Sequence, residues 1–213
     1  EAFYFRGVAK YHLENFYEAI SDLDQAITLD DKNSEPFYFR GLAKFELELY
    51  RNAISDLDQA ITLDDKNSEA FYFRGVAKYH LENFYDAISD LDQAITLDDK
   101  NSKSYFSRGV AKQELKLYKE AILDFDKTIQ IDNNYSNPFF YRGVAKYNLK
   151  IFHDAISDFD KVITLDDKNS ESYYFRGLAK YELELYREVI SDFDKLITLD
   201  DKNSESYYFR GLA

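Results

Sequence analysis

The chemistry-bearing side chains of this sequence come in a fixed pattern. Arg6 and Lys10 stand one helical turn apart and are followed by Asp22 and Asp24; the set returns as Arg40 and Lys44 with Asp56 and Asp58, and again in every later copy. A guanidinium, an ammonium and two carboxylates within reach of one another could bind an anion or exchange protons. The repetition argues against that use. A catalytic centre assembles a nucleophile, a base and an electrophile stabiliser at one place, and such a centre is not repeated at equivalent points of a chain. The expectation is therefore structural: Arg–Asp and Lys–Asp pairs that fix how helices stack.

The remaining candidates are weaker. Asp31-Lys32-Asn33-Ser34-Glu35 has the acid spacing of a calcium loop but no sharp-turn glycine, and Leu42 stands where the closing glutamate belongs. His12, His80 and His153 lack a second ligand at helical metal spacing. There is no cysteine, hence no disulfide or thiolate site. No phosphate-binding loop, dinucleotide fingerprint, nucleophile elbow or zincin motif is present, so no catalytic residue, metal or cofactor is expected. Asn134-Tyr135-Ser136 is a formal glycosylation sequon.

Composition narrows the partners. The formal charge is −13, from 40 acidic and 27 basic residues, which repels phosphate backbones and disfavours nucleic acid. It favours a basic or amphipathic ligand, and it equally serves solubility. No apolar run approaches the ~18 residues of a membrane span, and no signal-peptide or compartment signal is visible. The chain opens at Glu1 and stops in mid-repeat at Ala213, which reads as a segment of a longer protein.

The elements that must position these groups follow from one recurrence. Arg6-Gly7-Val8-Ala9-Lys10 returns at Arg40, Arg74, Arg108, Arg142, Arg176 and, cut short, Arg210, always 34 residues on. A fixed period in the range of roughly 20–50 residues marks a stacked repeat array. The second half of each unit reads as a helix, with Phe16, Ala19, Ile20, Leu23, Ala26 and Ile27 on one stripe. Asn15 is its candidate N-cap, and Ser34 that of the following helix. The first half has Phe3, Ala9 and Leu13 on one face and Gly7 for close approach. Tyr4, Phe5, Val8 and Tyr11 lie off that face, so this helix must be covered on several sides, and what is left uncovered faces a groove or solvent. The predicted domain is a single array of antiparallel helix pairs over 1–34, 35–68, 69–102, 103–136, 137–170 and 171–204, with a partial helix at 205–213.

This pattern resembles the tetratricopeptide repeat along the whole chain. The matching positions are the aromatic series Phe3, Phe37, Phe71, Tyr105, Phe139, Tyr173 and Tyr207, the glycines, the second-helix aromatics Phe16, Tyr50, Phe84, Tyr118, Phe152 and Tyr186, and Ala19 to Ala155 with Val189 departing. The crossing residue is Ala26, Ala60 and Ala94, then the bulkier Thr128, Val162 and Leu196, which implies adjusted packing in the later repeats. Asp31 and its counterparts replace the usual proline, and Glu14, Glu48, Glu82, Lys116, Lys150 and Glu184 replace a frequent glycine in the turn.

The resemblance implies an all-α, right-handed α-solenoid (superhelix) that acts as a non-catalytic scaffold, its first helices lining a concave groove for a peptide or partner helix. Carried over residue by residue, that groove is Tyr4, Phe5, Val8, Tyr11 and His12; Tyr38, Phe39, Leu42 and Phe45; Tyr72, Phe73, Val76, Tyr79 and His80. Phe140, Tyr141 and Tyr147, then Tyr174, Phe175 and Tyr181, continue it. With Glu1, Glu35, Glu69, Glu171 and Glu205 at the edge, the expected ligand has apolar anchors and positive charge. The competing reading is that the rings pack on one another. Repeat four, with Lys103, Ser107, Gln113, Lys116 and Lys119, is either a specificity segment or a drifted copy. A structural alternative is self-assembly by end-to-end stacking of open solenoid ends.

Overall fold

The computed structural model describes residues 1–199, within which there are twelve helices and no strand. They are α1 (Ala2–His12), α2 (Phe16–Leu29), α3 (Ser34–Glu46), α4 (Tyr50–Leu63), α5 (Ser68–His80), α6 (Phe84–Leu97), α7 (Ser102–Glu114), α8 (Tyr118–Ile131), α9 (Asn137–Asn148), α10 (Phe152–Leu165), α11 (Ser170–Glu182) and α12 (Tyr186–Leu199). Each 34-residue period holds one helix pair, and α3, α5, α7 and α11 begin at Ser34, Ser68, Ser102 and Ser170, the last residues of the preceding intervals; the partial helix expected at 205–213 lies outside the described residues. The chain divides into two compact units, residues 1–111 and 112–213. In the first, each helix from α1 to α6 packs on the next, and α1, α3 and α5 also touch in succession. In the second, α8 to α12 pack in the same sequential way, with α9 touching α11.

The second helices supply the core. Ala19, Leu23 and Ala26 of α2 are buried, as are Ala53, Leu57 and Ala60 of α4 and Ala87, Leu91 and Ala94 of α6. The later unit fills the same layer with larger groups: Phe125 and Thr128, Phe159 and Val162, Phe193 and Leu196, all fully buried or nearly so. The recurring glycine meets this layer rather than a bare backbone. A Cβ on Gly7 would lie 2.8 Å from Leu23 Cγ and 3.3 Å from the Ala19 carbonyl, and one on Gly143 would lie 2.7 Å from Phe159 Cε1. The first repeat departs from the expected face, since Ala9 and Leu13 are exposed, whereas Ala43 and Ala77 are buried.

Local signals explain where helices begin and turn. Asn33, not Ser34, is the N-cap of α3: its side chain accepts from the Glu35 N–H at 3.1 Å. Asn67, Asn101 and Asn169 accept in the same way from Ala70, Ser104 and Ser172. Asp30 accepts from the Lys32 N–H at 3.1 Å, and Asp64, Asp98, Asp132 and Asp166 repeat that turn. The acidic loop is thus occupied with holding its own backbone. Asn15 stands in the N-cap position of α2 but makes no side-chain cap bond, its backbone lying at φ −86°, ψ 61° rather than in the extended region.

Glu14, Glu48, Glu82, Lys116, Lys150 and Glu184 all adopt φ near +60° (58–62°). The left-handed region costs a residue with a Cβ about 1–2 kcal/mol, and six such turns are held by the packed helices on either side. Glu82→Gly relieves that strain and, after the entropy glycine adds to the unfolded chain, should raise stability by about 0.5 kcal/mol. Glu82→Val, branched at Cβ, should lower it. Paired thermal melts read both signs.

Candidate functional site

The repeated charges form a continuous network inside each unit. Arg40 Nε and Nη2 donate to the two carboxylate oxygens of Asp56 at 2.9 and 2.5 Å, while Nη1 donates at 2.6 Å to Asp24 of the preceding repeat. Arg74 does the same with Asp90 and Asp58, Arg142 with Asp158 and Asp126, and Arg176 with Asp192 and Asp160. Arg108 Nη1 reaches Asp92 at 2.5 Å. A lysine one turn on completes each cluster: Lys44 with Asp56 and Lys78 with Asp90 at 2.7 Å, Lys112 with Asp124 at 2.7 Å. Each guanidinium also lies over the ring three residues earlier, 5.2–5.6 Å from the centroid, from Arg6 over Phe3 to Arg176 over Tyr173.

One guanidinium therefore joins three helices. The inner aspartates are almost wholly buried, and the arginines of the second and later repeats are 15–17 % exposed against 59 % for Arg6. Desolvation pulls the Arg40 and Arg74 pKa down, but hydrogen bonds and charge from two aspartates outweigh it, and the net shift is upward. The bidentate Arg6 hydrogen bond holds the Asp22 carboxyl down at about 2, against a desolvation effect of opposite sign. A group of this kind is consumed by packing. Its cations already donate to carboxylates, which leaves little positive charge for an anion, and its groups stay ionised at neutral pH.

The candidate groove residues sit mostly half-buried and in ring contact from repeat to repeat. Phe39 lies against Tyr4, Tyr11 and His12 of the preceding repeat at 6.1, 5.9 and 6.3 Å. Phe73 meets Phe45 at 5.5 Å, and Phe175 meets Phe140 and Tyr147 at 5.8 and 6.1 Å. Tyr141 lies 6.0 Å from Phe125. Tyr38 and Leu42 are buried among Phe37, Leu57, Ala60 and Ala70. Tyr174 and Tyr181 pack on the Tyr173, Val189, Phe193 and Leu196 cluster. His80 stacks on Tyr50 at 4.5 Å with an interplanar angle of 4°. Phe5 is exposed, and Val8, Tyr72, Val76 and Tyr79 are half-buried. Rings of the second helix that were not on the expected roll, Phe16, Tyr50 and Phe84, contact Tyr11, Phe45 and Tyr79.

A second link between repeats was not legible beforehand. The Tyr4 hydroxyl donates to Glu35 at 3.2 Å and the Tyr38 hydroxyl to Glu69 at 2.7 Å. Burial raises the Tyr38 pKa first, with Glu69 adding to it; burial also raises that of Tyr11, helped by the charges of Glu46 and Glu69. These phenols stay neutral donors beside carboxylates. Two hollows open there: one bordered by Glu1, Tyr4, Phe5, Leu29 and Pro36, the other by Glu69, Tyr72, Phe73, Lys100 and Lys103. In repeat four the aromatic position is taken by Gln113, whose Oε1 is buried without a hydrogen-bond partner. Among the described residues no cluster of His, Cys, Asp or Glu could hold a metal ion, and no helix is long and apolar enough to cross a membrane.

Helix pairs of 34 residues, a glycine facing the second helix and an alanine at the crossing define a class, and comparison with known families agrees. Two tetratricopeptide-repeat models match, one over residues 39–102 and one over 1–33 and 102–135. The chain belongs to the tetratricopeptide repeat family. Its fold is similar to that of YrrB, a TPR protein with an unusual peptide-binding site (TM-score 0.80, 18% identity, covering 89% of this chain and 97% of that one). It is also similar to pilF of Pseudomonas aeruginosa (0.81, 17% identity, 100% and 96%) and to MamA (0.73, 24% identity, 78% and 96%). Comparison with curated protein sequences finds no match. The fold is an all-α solenoid of helical repeats and a scaffold for protein–protein interaction, with proteins or peptides as the partners it implies.

Arg74→Ala strands the buried Asp90 carboxylate with Lys78 alone and frees Asp58, so it should cost about 3 kcal/mol by denaturant titration. Arg74→Lys should recover only part, lacking the fork that spans two oxygens. Asp22 contributes to stability with a definite sign. Its folded pKa, about 2, lies below the ordinary 3.8, so its contribution is complete above pH ~4 and is lost as pH falls toward 2. Asp22→Asn should be less stable at neutral pH, and its stability should vary less across that interval than that of the unaltered chain.

Proposed function

We propose that this chain is a non-catalytic interaction scaffold that holds a peptide or helix of a partner protein against the aromatic and acidic face of its first helices. The observation that carries this reading is the pairing of phenol and carboxylate along that face. Tyr4 with Glu35 and Tyr38 with Glu69 place anionic groups beside the half-buried ring of Tyr4 and the buried ring of Tyr38. Such a surface suits a segment with aromatic or aliphatic anchors and interspersed Lys or Arg. The arginines, lysines and aspartates that could have formed a reactive centre are paired with one another between helices, which supports a binding role over an enzymatic one. YrrB, similar in fold, has a peptide-binding site.

Rings that join repeats are poor probes, because removing Phe39, Phe45 or Phe73 also removes packing. Tyr72 and Tyr79 are half-buried on the first helix of repeat three, beside Phe73 and Phe84, so a variant lacking both is read together with its thermal melt. In a screen of short peptides, binders should be enriched in Lys and Arg alternating with large apolar residues. The Tyr72→Ala, Tyr79→Ala double variant should bind them at least about tenfold more weakly, equivalent to about 1.4 kcal/mol, with helicity unchanged by circular dichroism. Undiminished affinity in the double variant would overturn the groove.

End-to-end stacking is the second reading. It is the structural alternative for a stacked array, in which each repeat covers the next. The opposite end, at 205–213, lies outside the described residues.

A further inference from the structure

Within each unit, the turns between the two helices of each pair form an edge, distinct from the groove, that carries an exposed large apolar side chain in every repeat. These are Tyr17 (75 % exposed), Leu49 (44 %), Tyr85 (74 %), Leu117 (38 %), Ile151 (43 %) and Leu185 (38 %). Single exposed apolar residues are ordinary; one at the same edge of each repeat is a row, and rows of this kind mark interaction surfaces. The backbone does not require them. Leu49, Leu117 and Ile151 stand in N-cap positions and make no cap bond, and Asn15 and Asn83, at the same position of the first and third repeats, make none either.

The charges flanking this row differ between the two units. The residue at the tip of each turn, held at φ near +60°, is Glu14, Glu48 and Glu82 in residues 1–111. Glu46 and Asp86 lie on the same acidic edge, offset by Arg51. In the fourth and fifth repeats the tips are Lys116 and Lys150, with Lys119 beside them and Glu114, Glu120 and Asp154 as counter-charges; Glu184 returns in the sixth. Repeats one to three thus carry an apolar row with acidic tips, and repeats four and five one with basic tips.

We propose that the acidic turn edge of repeats one to three docks on the lysine-tipped turn edge of repeats four and five of a second copy of this chain. Leu49 and the exposed tyrosines then cover Leu117 and Ile151, with Glu48 and Glu82 set against Lys116 and Lys150. This contact is separate from the groove and from end stacking, and it uses side chains that neither of those readings employs.

The test uses two charge-reversed chains whose substitutions already occur at equivalent turns and so keep the fold. One carries Glu48→Lys and Glu82→Lys and has two basic edges; the other carries Lys116→Glu and Lys150→Glu and has two acidic edges. In sedimentation velocity, the unaltered chain should associate with rising concentration. Each reversed chain alone should associate at least about tenfold more weakly, and a 1:1 mixture should recover the original strength. Leu49→Asn, Leu117→Asn and Ile151→Asn together, placing the native residue of repeats one and three, should abolish association in every combination. An unaltered chain that stays monomeric at all concentrations overturns the proposal. So does association that ignores the reversals, as end stacking would, or a mixture no stronger than its components. Peptide binding in the groove should be the same in both reversed chains, so its loss or retention reports on the groove alone.

Discussion

The structure depends on one ion cluster, repeated. A guanidinium placed on the first helix grips the aspartate of its own second helix with two nitrogens and reaches with the third to the aspartate of the repeat before it. A helix pair of this length exposes too much apolar surface to stand in water alone, and stacking is what covers it. Apolar burial is nondirectional, however, and would tolerate sliding. A planar fork matched to a carboxylate does not. Buried ion pairs add little net stability compared with well-packed apolar groups, but they penalise any register that leaves one partner unpaired. The buried aspartates are the parts that must not be stranded, and Asp22, Asp56, Asp90, Asp158 and Asp192 are each met by both arginine and lysine.

That commitment shapes what the protein can do. The groups with reactive potential are paired with one another, so the surfaces proposed for partners are others: phenols, carboxylates and half-exposed rings on the first helices, and the turn edges. The ring contacts through Phe39, Phe45 and Phe73 in the first unit, and those of Phe140 with Phe175 in the second, are shared between packing and surface. A ligand meeting that face meets rings already fixed by their neighbours, which lowers the conformational cost of binding.

Departures among the repeats follow the same logic. Where Leu57 and Ala60 become Phe159 and Val162, the layer is refilled with larger groups that remain fully buried, and Gly143 gives the ring its room. Repeat four loses a ring at Gln113 and acquires a buried amide oxygen without a partner. Buried hydroxyls at Ser104 and Ser172 are likewise unpartnered, where the first and third repeats carry alanine.

The period and the helix pairs were legible in the order of residues alone, because they rest on local propensity and on glycine and apolar spacing, which repeat with the chain. So was the structural role of the arginines, since nothing catalytic recurs six times. The cap of α3 falls one residue earlier than expected, because Asn33 and Ser34 are both good caps and only the backbone angles choose between them. The partners across repeats were decided by tertiary structure. Which aspartate receives the third arginine nitrogen, that Tyr38 donates to Glu69, and that Tyr38 and Leu42 turn inward while Phe5 does not, depend on how one repeat is rotated on the next. That rotation is set by the summed fit of many side chains at once, and no spacing within a single repeat encodes it.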